Sequence, residues 1–203
     1  STSGWKTLAV YLGVESIGTG GKDDHVYSQS IYDNKWRDYH SEGGQDKSVI
    51  ELFDHKPGYF VDVGAGDAVY RSNTLVLERY NWEGLCIEPN PLHWVSLAHR
   101  KCAIVGAVVG SRGDVVSMTF SNQGSGNLQQ NAPANKPGVH NGNLVLRRRS
   151  VPLQDLLREA KAPRVIHYLS LDVMGSEDVV IDSSFPFNEF AIMVISVQDP
   201  SEK

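Results

Sequence analysis

Short apolar runs alternate with amphipathic stretches along most of this chain. Tyr59 to Val63 (YFVDV), Gly84 to Ile87 (GLCI), the run KCAIVGAVVG from Lys101 to Gly110, Val165 to Val173 and Phe190 to Val197 are the clearest. Apolar runs this short, bounded by glycine, proline or asparagine, predict strands buried on both faces. Their alternation with helical patterns predicts a parallel sheet in an α/β domain. Between them, Val49, Ile50, Leu52 and Phe53 recur at helical spacing after Asp46 and stop at Lys56-Pro57-Gly58. A second helix is predicted over 68–80, with Asp67 as its N-cap and Asn81 just past its end. A third starts at Asn90, with Pro91 in its first turn, and ends at Arg100-Lys101, where cations suit the helix dipole. A fourth, VPLQDLLREAKA, is opened by Pro152 and stopped before Pro163. Ser176, Glu177 and Asp178 open a last helical segment.

The rhythm breaks between the third and fourth strands. GDVVSMTF (113–120) and NLVLRRRSV (143–151) both read as strands, separated by a Gly/Asn/Pro-rich segment, 121–142. The expectation is an antiparallel hairpin that extends the parallel sheet, its long loop bordering a pocket. Residues 1–44 are mixed and aromatic, a lid or an N-terminal wrap, whereas 45–203 carry the strand–helix core. The whole, 1–203, reads as a single domain, excised from a larger protein because it begins Ser-Thr-Ser-Gly without methionine.

The first strand runs into Gly64-Ala65-Gly66-Asp67-Ala68. Glycines there permit a sharp turn and the close approach of a ligand. The expectation is that N–H groups at the following helix start stay open to an anionic or strongly polar ligand. Asp62 stands just before the turn. The second strand ends in Glu88, 22 residues after Gly66, close to the interval of about 20 at which an acid meets ribose hydroxyls in nucleoside-binding βαβ units. A pyrophosphate would want a third glycine at position 69, which holds Val69. A ligand with an adenosine and no phosphate fits better, and S-adenosylmethionine leads the candidates over NAD. Asp172, ending the fourth strand, is the catalytic candidate, because ligands of open α/β sheets bind at strand C-termini where strand order reverses.

Three separated motifs in order, VDVGAGDAVYRSNTLVLE, NWEGLCIEPNP and HYLSLDVMGSE, resemble the FkbM-type S-adenosylmethionine-dependent O-methyltransferases. The resemblance spans residues 41–198. It implies a Rossmann-like class I methyltransferase fold with a mostly parallel sheet, and transfer of a methyl group to a hydroxyl, commonly on sugars or polyketides. A deoxyhexose of a glycan, such as rhamnose or fucose, is the favoured acceptor. Cofactor-binding positions are then Asp62, Gly64, Ala65, Gly66, Asp67, Ser72, Asn73, Thr74, Glu88, Pro89, Ala107 and Asp172. Gln45 and Asp46, a pair common in the family, and Glu177, its second acid, fall to the substrate, with Trp36 free to stack on a sugar ring. His140, in the long loop, is the second candidate for the base. Family members tend to read G-A-N-D-G at the turn and L-D-V-E-G-x-E at the fourth strand. This chain has Gly66 and Ala68 in the first motif and Met174 in place of the middle acid of the second. The alternative is a non-catalytic domain that has kept the fold and the ligand.

Composition narrows the setting. A net charge of −5 argues against a nucleic-acid-coating surface. Arg147, Arg148 and Arg149 form the one basic cluster, with Arg147 and Arg149 on one strand face. The seven histidines lack metal-ligand spacing, and no metal is expected. His167 reads as a core histidine. No apolar run reaches the length of a membrane span. Cys86 and Cys102 sit in apolar runs and read as buried free thiols of a reducing compartment, which makes the expected location cytoplasmic. The expected partners are a sugar or glycan acceptor and other domains of the same polypeptide.

Overall fold

The computed structural model describes residues 9–10, 39–120, 126–130, 138–140, 143–173, 177–181 and 184–198. Six parallel strands form the main sheet: β1 (Ala9–Val10), β2 (Tyr59–Val63), β3 (Glu83–Ile87), β4 (Ala103–Gly106), β10 (Val165–Leu171) and β11 (Ala191–Val197), in the order β1-β4-β3-β2-β10-β11. From β2 the chain steps outward through β3 and β4. It then returns to the other side of β2 as β10 and β11, so strand order reverses between β2 and β10. The architecture is α/β and Rossmann-like in layout.

The central strands β2, β3 and β10 are mostly apolar because both of their faces are covered, whereas the edge strand β11 leaves Met193, Ile195 and Val197 exposed. One face of the sheet, with Val61, Val63, Leu85, Ile87 and Leu169, packs on Leu153, Leu156 and Leu157 of α4 (Leu153–Glu159). The other, with Phe60, Cys86, Ile104 and Tyr168, packs on Val49 and Ile50 of α1 (Gln45–Leu52) and on Leu75 and Leu77 of α2 (Leu75–Arg79). Trp82 lies in the same layer, edge-on to Phe53 and His167. His167 is half-buried, and its Nδ1 accepts from the Tyr59 N–H at 3.0 Å, the core role expected of it.

Three expectations need correction. The helix predicted over 68–80 shrinks to α2. Asp67 turns the chain back by accepting from the Val69 and Tyr70 N–H groups, and Arg71 adopts a left-handed φ of 57°, which no helix can pass through. The helix after Asn90 is a 3₁₀ turn (Pro91–His93) followed by α3 (Trp94–Leu97), although Asn90 does cap it through its Oδ1 and the Leu92 N–H. The hairpin does not extend the parallel sheet. At Ala107 the third apolar run leaves that sheet, and β5 (Val108–Val109) pairs instead with β9 (Asn143–Val151). A second sheet follows, ordered β5-β9-β6-β7, from β6 (Val115–Phe120) and β7 (Gly126–Gln130), with β8 (Gly138–His140) also on β9. The segment 121–142 is therefore no bare loop. Its strand parts find backbone partners on β6 and β9. A last short helix, α5 (Glu177–Val180), precedes β11.

The cysteine expectation is also overturned. Cys86 and Cys102 form a disulfide between β3 and the turn entering β4, and no described cysteine is free. Parallel pairing of Cys86 with Ile104 brings the start of β4 against β3. This bond removes the argument for a reducing compartment, and with it the argument for a cytoplasmic location. No described helix is long and apolar enough to cross a membrane.

Candidate functional site at the strand-order reversal

Where β2 and β10 part, Gly64 and Asp172 face each other. The Asp172 N–H donates to the Val63 carbonyl at 2.9 Å, and a Cβ on Gly64 would run into the Asp172 carbonyl oxygen. Gly64 also holds φ at 82°, so glycine is required here both for room and for backbone conformation. Sequence reasoning brought these two residues together correctly.

Glu88 comes to the same rim from β3. Its N–H donates to Val105, and the Trp94 indole donates to its carbonyl at 2.8 Å. Trp94 can lie there because Gly106 leaves room, for a Cβ at that position would press on the indole ring. Glu88 is 4% exposed. One carboxylate oxygen accepts from the Gly66 N–H at 2.7 Å and the other from the Asn90 N–H at 2.7 Å. Burial pushes its pKa up. The two backbone donors and the nearby His93 oppose that shift, and Asp62 adds to it. Asn90 was expected only as a helix cap. Its second task, seating Glu88, was written in the two-residue spacing.

Five of the amides from Gly64 to Tyr70 are spent within the protein, so the turn is less open than expected. The Gly64 and Ala65 amides both donate to the Ile87 carbonyl, at 2.9 and 3.2 Å, and the Gly66 amide is taken by Glu88. Val69 and Tyr70 are taken by Asp67. The helix that follows, α2, begins at Leu75 rather than at the turn. Most of the backbone donors that would cradle a phosphate are thus spent on the protein itself. What the rim keeps is acceptor capacity: a carboxylate oxygen has about two lone-pair sites, and each Glu88 oxygen uses one on a described partner.

Beneath the turn lies a buried polar network. Asp62, 1% exposed, accepts from the Thr74 hydroxyl at 2.6 Å, and burial raises its pKa against the pull of Thr74, Arg100 and Ser170. Arg100, wholly buried, donates to Ser72, Thr74 and Glu78 at 3.1, 2.9 and 3.1 Å. Ser72 Oγ also accepts from the Leu75 N–H and so starts α2, while Asn73 donates to Ser170. Asp62, Ser72 and Thr74 therefore hold up the turn rather than line the crevice. The sequence marks Arg100 only as a cation at a helix C-terminus. Nothing short of the fold shows an arginine to be buried.

The remaining expected residues are dispersed. Ala65 and Ala107 are core, and Pro89 is partly exposed beside Glu88. Asp46 is fully buried and accepts from the backbone of His40 and Ser41, pinning the chain ahead of α1. Gln45 accepts from the Gly43 N–H. Both are thereby committed to the entry of α1. His140 sits on β8 opposite Asn143, and Glu177 opens α5. Trp36 and Met174 lie outside the described residues. Among the described residues, Glu78, Cys86 and Cys102 alone cluster in the manner of a metal site, but the two sulfurs are bonded to each other. No family model, curated protein or solved structure matches the chain.

Proposed function

We propose that the chain is an S-adenosylmethionine-dependent O-methyltransferase acting on a hydroxyl, with a deoxyhexose of a glycan as the favoured acceptor. The observation that carries this reading is the chemistry of the rim. At the strand-order reversal, the Gly64, Ala65 and Gly66 amides are already bonded, and the two carboxylates that stand there are Glu88, buried, and Asp172, partly exposed. Such a rim suits a ligand that donates hydrogen bonds and carries positive charge, and it suits a pyrophosphate poorly. That favours an adenosyl sulfonium over a dinucleotide, in line with Val69. The resemblance of the three motifs to FkbM-type enzymes supports the same assignment.

In this reading Glu88 accepts from the ribose hydroxyls on its remaining lone pairs. Gly66 stays bonded to Glu88, which keeps the carboxylate oriented and spares the ligand that task. When bound, S-adenosylmethionine supplies an electrophilic methyl group. Asp172, anchored by its own N–H to Val63, orients the acceptor hydroxyl and takes its proton as the new bond forms. The buried Asp62–Thr74–Arg100 network fixes the turn, so that alignment rests on packed elements rather than on loops.

Calorimetry with S-adenosylhomocysteine and with NAD tests the cofactor, and a radiolabelled methyl-transfer assay on a panel of deoxyhexosides tests the reaction. Binding of S-adenosylhomocysteine but not NAD, with label in a sugar, is the expected result. Binding without transfer to any acceptor would favour a non-catalytic domain, and NAD binding alone would overturn both readings.

A further inference from the structure

The Cys86–Cys102 disulfide occupies a place with consequences for the site. The two Cα atoms are 6.0 Å apart and the bond closes 16 residues of chain, within the ordinary reach of a disulfide. Cys86 lies two residues before Glu88, on the same side of the strand. Cys102 and Lys101 donate their N–H groups to the Glu78 carboxylate, and Arg100 of the same turn reaches Ser72 and Thr74 behind the glycine turn. The covalent bond thus ties the limb bearing Glu88 to the turn entering β4, and hydrogen bonds tie that turn to the segment that follows β2. Both cysteines are buried, at 0% and 1% exposure, so an oxidant or reductant has no path to them in the folded chain. Thiol–disulfide exchange needs a thiolate in contact with its partner sulfur. The exchange therefore precedes closure of this part of the core.

We propose that this disulfide is an oxidation-dependent lock, so that the Glu88 limb closes fully only in a compartment able to oxidise the pair during folding. In the step, one cysteine thiolate attacks a low-molecular-weight or protein disulfide and expels one thiolate. The second cysteine thiolate then attacks the chain's own sulfur in the mixed disulfide and expels the other. One S–S bond forms and one breaks, two electrons pass to the oxidant, and the two cysteine protons end on the two released thiols. The link from lock to cofactor affinity rests on the function proposed above, but the lock itself does not. If both hold, the acceptor is a glycan met in that oxidising compartment.

The full chain is unfolded, reduced, and refolded either in a glutathione redox buffer or in excess dithiothreitol, then alkylated in denaturant and weighed by mass spectrometry. The redox-buffered chain should take up no label and melt roughly 6–12 °C above the reduced chain. It should also bind S-adenosylhomocysteine at least tenfold more tightly. Two labelled cysteines after redox-buffered refolding, or equal melting of the two forms, would overturn the lock. So would a reduced chain that binds zinc through Glu78 and the two thiols and melts like the oxidised one. The Cys86→Ala/Cys102→Ala variant should melt like the reduced chain, and reduced wild type serves in its place if that variant does not fold. A melting difference without S-adenosylhomocysteine binding in either form would leave the lock standing and refute the proposed function.

Discussion

Arg100 and Arg112 are twelve positions apart, yet they live in different electrostatic worlds. Arg100 is wholly buried beside the parallel sheet, with its charge matched by Glu78 and further N–H donors on Ser72 and Thr74, while its Nε finds no partner among the described residues. Arg112 lies where the second sheet meets α4, with its side chain 75% exposed, and pairs with Asp155, which Arg158 also shares. Arg158 in turn grips Glu189 at the surface, and Arg149 donates to the Gly113 carbonyl. Charges in the first region cannot be solvated if a partner leaves, so their geometry is enforced. Those in the second exchange partners with water at little loss. The lesson concerns function as well as stability. A site that must hold atoms in place sits on the first kind of scaffold, and a run of arginines on a solvated strand is no evidence of one.

The sharpest way to break this contrast is Arg100→Met. It leaves Glu78 and Asp62 as buried carboxylates without their cation, and should lower unfolding free energy by about 3–5 kcal/mol. A urea midpoint that moves by less than the equivalent of about 1 kcal/mol would put Arg100 in the same class as Arg112. Adding Glu78→Gln should restore part of the loss, since the pair is then removed together.

Asp172→Asn keeps the shape and removes the proposed base. Turnover should fall about a hundredfold, roughly 3 kcal/mol of barrier, while S-adenosylhomocysteine affinity is nearly kept. Single-turnover assays check this. Full turnover in that variant, with chemistry rate-limiting, would make Asp172 structural.

Glu88→Gln gives two readouts. Cofactor affinity should weaken by roughly 1.5–3 kcal/mol, the range for a hydrogen bond to a charged group. Unchanged affinity in calorimetry would refute Glu88 as the ribose acceptor. The second readout is stability against pH. Burial raises the folded pKa of Glu88 and of Asp62, so the folded chain holds these protons more tightly than the unfolded one. Their contribution is fully present below the ordinary carboxylate range and is lost as pH rises through the raised folded values. Denaturant titrations at several pH values should show a shallower decline in Glu88→Gln than in wild type, with Asp62 accounting for what remains. Identical slopes would mean that Glu88 is solvated in the native state.

Arg112→Ala should be the mildest change, within about 0.5 kcal/mol of wild type and shrinking further in salt. A loss comparable to that of Arg100→Met would erase the distinction between the two regions.

The strands, their parallel pairing and the reversal point were legible because buried parallel strands must be apolar on both faces, and YFVDV, GLCI and VIHYLSL carry that signal directly, while AIMVISV is apolar on its exposed face as well. That Glu88 ends beside the glycine turn was legible for a similar reason, since two adjacent strands leave their C-terminal residues side by side, but its bond to the Gly66 amide was not. Local backbone chemistry was less so. Whether Asp67 starts a helix or closes a turn depends on the left-handed Arg71 that follows, and no periodicity announces it. Three features belong to the tertiary structure alone. Burial of Arg100 depends on Glu78, Ser72 and Thr74 arriving from a distant segment. The second sheet exists because the chain leaves the first at Ala107 and finds β9 as a better partner. The Cys86–Cys102 bond exists because parallel register brings the turn before β4 against β3, and distance in space, unlike distance along the chain, is set only when the sheet forms.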